Sequence, residues 1–91
     1  MEKKVLIAED EPNIAVSLEY LMQQSGYEIQ TVTNGIDALR AAREFRPDLM
    51  LLDIRMPGTD GFALFQKLIQ EKVPYPIIFI TGHGDIPLAP P

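Results

Sequence analysis

The chain has 91 residues, of which 46% are hydrophobic and 23% are charged, and these proportions are those of an ordinary globular domain rather than of a disordered chain. Thirteen acidic residues against eight lysines and arginines give a formal net charge of −5, which argues against direct binding to nucleic acid, because phosphates attract basic surfaces. The absence of cysteine excludes a disulfide framework, a thiolate zinc site and a cysteine nucleophile. No apolar run approaches the length of a membrane span, so we expect a soluble, cytoplasmic protein without a membrane partner.

Apolar residues follow two different spacings along the chain. Short uninterrupted apolar runs are typical of strands buried on both faces of a parallel sheet, and apolar residues three or four positions apart are typical of helices. Proline near a helix start, and glycine or proline after its end, mark the helix boundaries. In chain order, the predicted elements are a strand at 5–8, a helix from Pro12 to a cap at Gly26, a partly alternating strand at 27–32, a helix carrying Ile36, Leu39 and Phe45, a strand at 49–52, a helix carrying Phe62, Phe65, Leu68 and Ile69, and a strand at 77–80.

The alternation of strands and helices predicts one α/β domain over residues 1–91. Such an order implies a parallel sheet with right-handed crossovers and with helices on both faces. A doubly wound sheet is favoured over a closed α/β barrel, since a barrel needs about 200 residues or more. The strand at 27–32 alternates in polarity, which places it nearer an edge of the sheet.

Acidic and hydroxyl side chains follow three of the predicted strands. Glu9 and Asp10 come directly after the first strand, Asp53 follows the run at 49–52, and Thr81 follows the last strand. The carboxyl ends of parallel strands lie on one edge of a sheet, and a ligand crevice forms where the strand order reverses. If the first strand lies between the second and the third, Glu9, Asp10 and Asp53 converge in one shallow pocket, which Thr81 borders.

Three carboxyl groups in one pocket point to a hard divalent cation. Like charges repel and favour protonation unless a cation compensates, and Mg²⁺ prefers oxygen ligands, phosphoryl oxygens included. An aspartate beside Mg²⁺ can act as a nucleophile towards a phosphoryl group, and the Thr81 hydroxyl can donate a hydrogen bond to a phosphoryl oxygen. The residues alone therefore predict a Mg²⁺-dependent phosphoryl-acceptor site, without assigning a positive side chain to the transferred phosphate.

Three motifs, in this order and spacing, resemble the response-regulator receiver domain of two-component signalling. They are Val-Leu-Ile-Ala-Glu-Asp-Glu at 5–11, Leu-Leu-Asp-Ile-Arg-Met-Pro-Gly-Thr-Asp-Gly at 51–61 and Ile-Phe-Ile-Thr-Gly-His-Gly-Asp at 78–85. The stretch at 81–87 is similar to receivers that precede transcription-activating modules, so a link to transcription regulation is expected. The resemblance implies a flavodoxin-like doubly wound sheet and a signalling domain rather than an enzyme, with at most slow self-dephosphorylation.

The resemblance also implies the roles of individual residues. Asp53 would accept a phosphoryl group from a histidine kinase or a phosphotransfer protein, and phosphorylation would switch partner interactions. Asp10, Asp53 and the backbone carbonyl of Arg55 would hold Mg²⁺, with Glu9 as an auxiliary acidic residue. The hydroxyl group of Thr81 would move to contact the phosphoryl group.

The sequence departs from the family pattern after the last predicted strand. Complete receivers continue with a fourth helix, a fifth strand that ends in Lys-Pro and a fifth helix, which gives the strand order 2-1-3-4-5. Residues 86–91 read Ile-Pro-Leu-Ala-Pro-Pro, and the last two prolines cannot continue a helix beyond its first turn. We therefore expect a receiver that is incomplete at its C-terminus, with strand order 2-1-3-4, lacking the last helix, strand and helix and the family's lysine.

An incomplete receiver would expose the outer edge of the strand at 77–80. An exposed edge is a template for pairing with another chain, so we expect a homodimer or a domain-swapped oligomer formed through this strand. The missing lysine keeps a second hypothesis open, a degenerate receiver that acts as a dimerisation or protein-binding module without phosphotransfer. A phosphohydrolase with an aspartate nucleophile is discounted, since Arg55 occupies the position where such enzymes place a second aspartate.

Overall fold

A four-stranded parallel sheet with helices on both faces forms the centre of the protein. Its computed structural model describes residues 3–56 and 58–80. The elements are β1 (Lys4–Ala8), α1 (Pro12–Gln24), β2 (Glu28–Val32), α2 (Gly35–Glu44), β3 (Leu49–Asp53), β4 (Arg55–Met56), β5 (Thr59–Asp60), α3 (Gly61–Gln70) and β6 (Ile77–Ile80). The strand order is β2-β1-β3-β6, and all neighbouring strands are parallel. The order reverses between β1 and β3, which confirms the predicted doubly wound topology.

Local capping explains where the three helices begin and end. Pro12 is the first residue of α1, where the missing N–H of proline costs no helical hydrogen bond, and Gly26 follows the helix with a φ of 86°, a conformation that glycine adopts without strain. At the start of α2, the Asn34 side chain accepts a hydrogen bond from Asp37 N at 2.9 Å, and Asp60 plays the same role for α3.

None of the helices in the described ranges is long and apolar enough to cross a membrane.

Each face of the sheet carries its own apolar layer, because successive side chains of a strand point to opposite faces. One face of the sheet is covered by α1, and there Val5, Ile7 and Leu51 pack with partly buried residues that include Leu18 and Met22. The opposite face is covered by α2 and α3, and its buried cluster consists of Leu6, Ala8, Ala38, Ala41, Ala42, Met50, Leu52, Met56, Leu64 and Leu68. The runs at 5–8 and 49–52 are thus covered on both faces, as predicted, and their carboxyl ends are held firmly at one edge.

The last strand of the sheet is less buried than its apolar sequence predicts. Within the described residues, β6 pairs with β3 and with no other strand, and Ile78 is 49% exposed. Phe79 packs edge-on against Phe65 of α3, with ring centroids 5.1 Å apart, which holds the strand against that helix. Thr81 and the residues after it lie outside the described part of the chain, so the extent of the domain over 1–91 stays a prediction.

Directly after β3, the chain forms a two-stranded antiparallel hairpin that no sequence pattern predicted. In this hairpin, Arg55 pairs with Asp60 and Met56 pairs with Thr59. Met56 is 3% exposed and belongs to the core beneath α2 and α3. The hairpin therefore ties the residues that follow Asp53 to the packed interior.

Candidate functional site

Three carboxyl groups meet at the carboxyl edge of the sheet. β1 and β3 are parallel neighbours in which Ala8 pairs with Leu52, so the next residues, Glu9 and Asp53, lie side by side at the carboxyl ends of the two strands. Glu9, Asp10 and Asp53 each place one carboxylate oxygen within 4.8 Å of the others. The structure thus brings together the three acids that the reversal of strand order was expected to collect.

Two of the three acids are fully buried. Glu9 and Asp53 are each 0% exposed, whereas Asp10 is partly buried. Backbone amides hold one oxygen of each buried carboxyl group: Glu11 N donates to Glu9 Oε2 at 3.0 Å, and Arg55 N donates to Asp53 Oδ1 at 2.9 Å. Both donors lie two residues after the acid, so the turn that follows each strand orients the carboxyl group at its end.

Burial raises the pKa of the Glu9 carboxyl group to about 7. The hydrogen bond from the Glu11 amide stabilises the ionised form and opposes this rise in pKa, while the nearby carboxyl groups of Asp53 and Asp10 add to it. The rise reflects the cost of placing a further charge in a desolvated, acidic site. Near neutral pH, the pocket therefore holds a proton or needs a cation to become fully ionised.

The donor atoms of the pocket suit a hard divalent cation. All three side chains supply carboxylate oxygens, and Mg²⁺ is typically bound through one or two carboxylates together with waters and phosphoryl oxygens. Glu9 Oε1 and Asp10 Oδ1 are buried and receive no hydrogen bond from the described residues. Since buried polar atoms need a partner, a cation in this cluster would satisfy both oxygens, and the residues fit a magnesium ion.

Comparison with known proteins assigns the family. The sequence model of the response regulator receiver domain matches residues 5–90. The chain belongs to the response-regulator receiver family. It is therefore a receiver domain of the kind found in two-component response regulators, which confirms the resemblance carried by the three motifs.

Curated relatives of this receiver are longer than the chain. The alkaline phosphatase synthesis transcriptional regulatory protein PhoP of Bacillus subtilis is 38% identical over 85 residues, which cover 93% of this chain and 35% of PhoP. The sporulation initiation phosphotransferase F of Bacillus subtilis is 34% identical over 88 residues, which cover 94% of this chain and 69% of that protein. The chain thus spans about a third of PhoP and a larger share of the shorter relative.

Solved structures share the fold of this receiver. The response regulator TrrA of Thermotoga maritima, in complex with Mg²⁺ and BeF, has a TM-score of 0.83 and 38% sequence identity, and the match covers 90% of this chain and 71% of that one. TrrA in complex with the histidine kinase ThkA gives a TM-score of 0.80 and 36% identity, with 94% of this chain and 76% of that one covered. These likenesses confirm the flavodoxin-like fold.

Of the two other residues predicted for the site, Arg55 lies among the described residues and Thr81 does not. Arg55 lies in β4 with an exposed side chain, and its amide holds Asp53; a role for its backbone carbonyl in metal binding stays a prediction. Thr81 lies outside the described residues, so its predicted contact with the phosphoryl group also stays a prediction.

The sequence did not predict a contact between Gly35 of α2 and Thr59 of the hairpin. Gly35 N, in the first turn of α2, donates a hydrogen bond to Thr59 Oγ1 in β5 at 2.9 Å. The available sequence signal was that Asn34-Gly35 precedes a helical pattern, which predicts a turn but no contact with a residue far along the chain. This contact joins α2 to the segment that follows the candidate phosphoryl acceptor.

Proposed function

We propose that this receiver accepts a phosphoryl group on Asp53 from a histidine kinase or a phosphotransfer protein, and that phosphorylation switches its interactions with partner proteins. It would act as a cytoplasmic signalling domain rather than as an enzyme. The observation that carries the proposal is the cluster of Glu9, Asp10 and Asp53 at the carboxyl ends of adjacent parallel strands. Support comes from TrrA, whose structures include a complex with Mg²⁺ and BeF and a complex with the histidine kinase ThkA.

In this proposal, Asp53 supplies the nucleophile. Its Oδ1 accepts a hydrogen bond from Arg55 N at 2.9 Å, which orients the carboxyl group. A bond forms between a carboxylate oxygen of Asp53 and phosphorus as the bond between phosphorus and the donor's imidazole nitrogen breaks, and the electron pair of the broken bond returns to the imidazole. The product is an aspartyl phosphate.

The neighbouring residues would hold the cation and the transferred group. Asp10, Asp53 and the Arg55 backbone carbonyl would bind Mg²⁺, with Glu9 as an auxiliary acid, and Thr81 would donate a hydrogen bond to a phosphoryl oxygen. Bound Mg²⁺ neutralises negative charge on the phosphoryl oxygens. Because burial raises the pKa of Glu9 to about 7, Glu9 must lose its proton before the pocket is fully ionised, and we expect phosphorylation to slow below neutral pH.

The experiment that tests this function is phosphorylation of the chain by a small donor. The chain is incubated with Mg²⁺ and acetyl phosphate, and its intact mass is measured. We expect a phosphoryl mass increment that requires Mg²⁺ and disappears in Asp53→Asn. Glu28→Gln is the matched control, since Glu28 is an exposed acid on β2, and this variant should keep the increment.

Two results would contradict the proposal. An increment that persists in Asp53→Asn would place the phosphoryl group elsewhere. An unmodified wild-type chain would favour the degenerate receiver that binds partners without phosphotransfer, a function that the convergence of the three acids does not favour.

We further propose that two copies associate, as a homodimer or a swapped oligomer, through the outer edge of β6. Among the described residues, this strand pairs with β3 alone, and Ile78 is 49% exposed. The unpaired backbone groups of an apolar edge strand favour pairing with another strand. The oligomeric state in solution, measured by light scattering, tests this association.

A further inference from the structure

The first turn of α2 contacts the hairpin that follows Asp53. Gly35 is the first residue of α2, and its amide has no acceptor within the helix. This amide donates to Thr59 Oγ1 at 2.9 Å, across a separation of 24 positions in the chain. Asn34 caps the same helix by accepting from Asp37 N at 2.9 Å, so Thr59 satisfies a second amide of the helix start from outside the helix.

The contact between Gly35 and Thr59 is steric as well as polar. A Cβ added at Gly35 would lie 2.6 Å from Thr59 Cγ2 and 3.1 Å from Thr59 Oγ1, and the first distance is far inside van der Waals contact between carbon atoms. Gly35 is not among the glycines with positive φ, so the close approach, and not an unusual backbone conformation, is what requires glycine at this position. The hydrogen bond and the close approach together hold the Thr59 side chain in one orientation.

Backbone pairing connects Thr59 to the residue predicted to bind the cation. Thr59 pairs with Met56 in the hairpin, and the Met56 side chain is anchored in the core. The Arg55 carbonyl belongs to the planar peptide group that joins Arg55 to Met56, and the Arg55 amide is bound to Asp53 Oδ1. A displacement of Thr59 would therefore shift the peptide group that carries the Arg55 carbonyl.

We propose that Gly35 and Thr59 are positioning residues for the cation site. Their contact locks the hairpin onto α2, and the locked hairpin holds in place the Arg55 carbonyl, which follows the amide that donates to Asp53 Oδ1. The inference rests on the proposed function, since it concerns the binding of Mg²⁺ at the same site. It assigns to α2 a part in metal binding although no acidic residue of the pocket lies on that helix.

The test is a double-mutant cycle in which Mg²⁺ affinity is measured by an NMR titration of backbone amide shifts in the metal-free chain. Gly35→Ala introduces the clash with Thr59 Cγ2 and should weaken Mg²⁺ binding by about tenfold, as is typical when a group that supports a metal ligand is disturbed. Thr59→Ser keeps the hydroxyl and removes Cγ2, so this variant should bind Mg²⁺ like the wild type. The double variant Gly35→Ala/Thr59→Ser should recover most of the lost affinity, because the atom in the clash is absent.

A third variant separates the hydrogen bond from the shape of the side chain. Thr59→Val keeps the branched shape and removes the acceptor, and it should weaken Mg²⁺ binding by about threefold, the range expected for one hydrogen bond. Thr33→Val is the matched control, since Thr33 is exposed just after β2, and its Mg²⁺ affinity should not change. Urea unfolding of every variant shows whether the change in affinity is separate from a loss of stability.

The outcomes distinguish this inference from the proposed function. Wild-type affinity in Gly35→Ala, or a double variant that binds no better than Gly35→Ala, overturns the positioning role and leaves the proposed function standing. A loss of stability without a change in Mg²⁺ affinity overturns it as well. If Gly35→Ala does not fold, the Thr59→Val variant decides, and an Mg²⁺ affinity equal to that of the unmodified chain overturns the inference. If the unmodified chain does not bind Mg²⁺, both proposals are overturned.

Discussion

Glu9 should make the stability of the metal-free protein depend on pH. Burial raises the pKa of its carboxyl group from 4.5 to about 7. Between these two values the folded chain keeps a proton that the unfolded chain releases, so the free energy of unfolding falls as pH rises. The stabilising contribution of protonated Glu9 is complete below pH 4.5, decreases through the interval and is lost above a pH of about 7.

The pKa of Glu9 sets the size of this effect. One pKa unit corresponds to about 1.4 kcal/mol, so the rise in the pKa of Glu9 from 4.5 to about 7 amounts to at most about 3–4 kcal/mol. This figure is an upper bound, because part of the rise in pKa comes from the neighbouring acids Asp53 and Asp10. Over the interval, the free energy of unfolding of the wild type should fall by up to ~3–4 kcal/mol more than that of Glu9→Gln, which has no proton to lose at this position.

Urea unfolding followed by circular dichroism, at closely spaced pH values from about 4 to about 8, measures this difference. The series is run once in chelator and once in Mg²⁺, and under the proposed function Mg²⁺ should remove the loss of stability near neutral pH, because it would bind the ionised pocket. Glu28→Gln, at an exposed site on β2, should follow the wild type. If, in chelator, the free energy of unfolding of Glu9→Gln depends on pH in the same way as that of the wild type, the reasoning is refuted.

Three further changes test packing and association. Gly61→Ala would place a Cβ 2.7 Å from Ile54 Cα and should lower the free energy of unfolding by about 1–3 kcal/mol; a wild-type midpoint in urea would show that the hairpin is not closely packed there. Leu68→Ala removes a fully buried side chain of α3 and should cost about 2–5 kcal/mol, whereas Ile69→Ala, at a residue that is 54% exposed, should cost much less in the same measurement. Ile78→Lys places a charge on β6 and should shift the mass found by light scattering towards the monomer; an unchanged oligomer at equal concentration would exclude this strand as the contact.

The sheet was easier to predict from the sequence than the loops that complete the site. The runs at 5–8 and 49–52 are apolar throughout, so both the strands and their burial could be inferred, and a parallel order then placed Glu9 and Asp53 at one edge. The hairpin has only two residues in each strand, too few for an alternating pattern to be recognised. The contact of Gly35 with Thr59 spans 24 positions, and no local pattern encodes a contact at that separation.

Glu9 shows a different limit of prediction from sequence. The family resemblance implies an auxiliary role for it, yet its side chain is as fully buried as that of Asp53. Glu9 N donates to Val32 O at 3.0 Å, which extends the pairing with β2 by one residue beyond β1. A charged residue after an apolar run has the same sequence signature whether it turns towards solvent or continues the sheet, so its burial could be learned only from the structure.

The buried acids link the stability of the fold to the proposed function of the site. A small domain has a net stability on the order of 5–15 kcal/mol, and placing a further charge in a desolvated acidic site is costly, so ionisation of Glu9, whose pKa burial raises to about 7, removes a sizeable share of that stability. A ligand that binds only the folded state stabilises it by about 2.7 kcal/mol at one hundred times its dissociation constant, comparable to the ~3–4 kcal/mol that ionisation of Glu9 removes at most. A proton on Glu9 and a cation in the pocket are therefore alternative ways to compensate the same charge. Because the two compete, the pH and the Mg²⁺ concentration should together decide how much of the receiver has an ionised pocket, the state that the proposed phosphorylation needs.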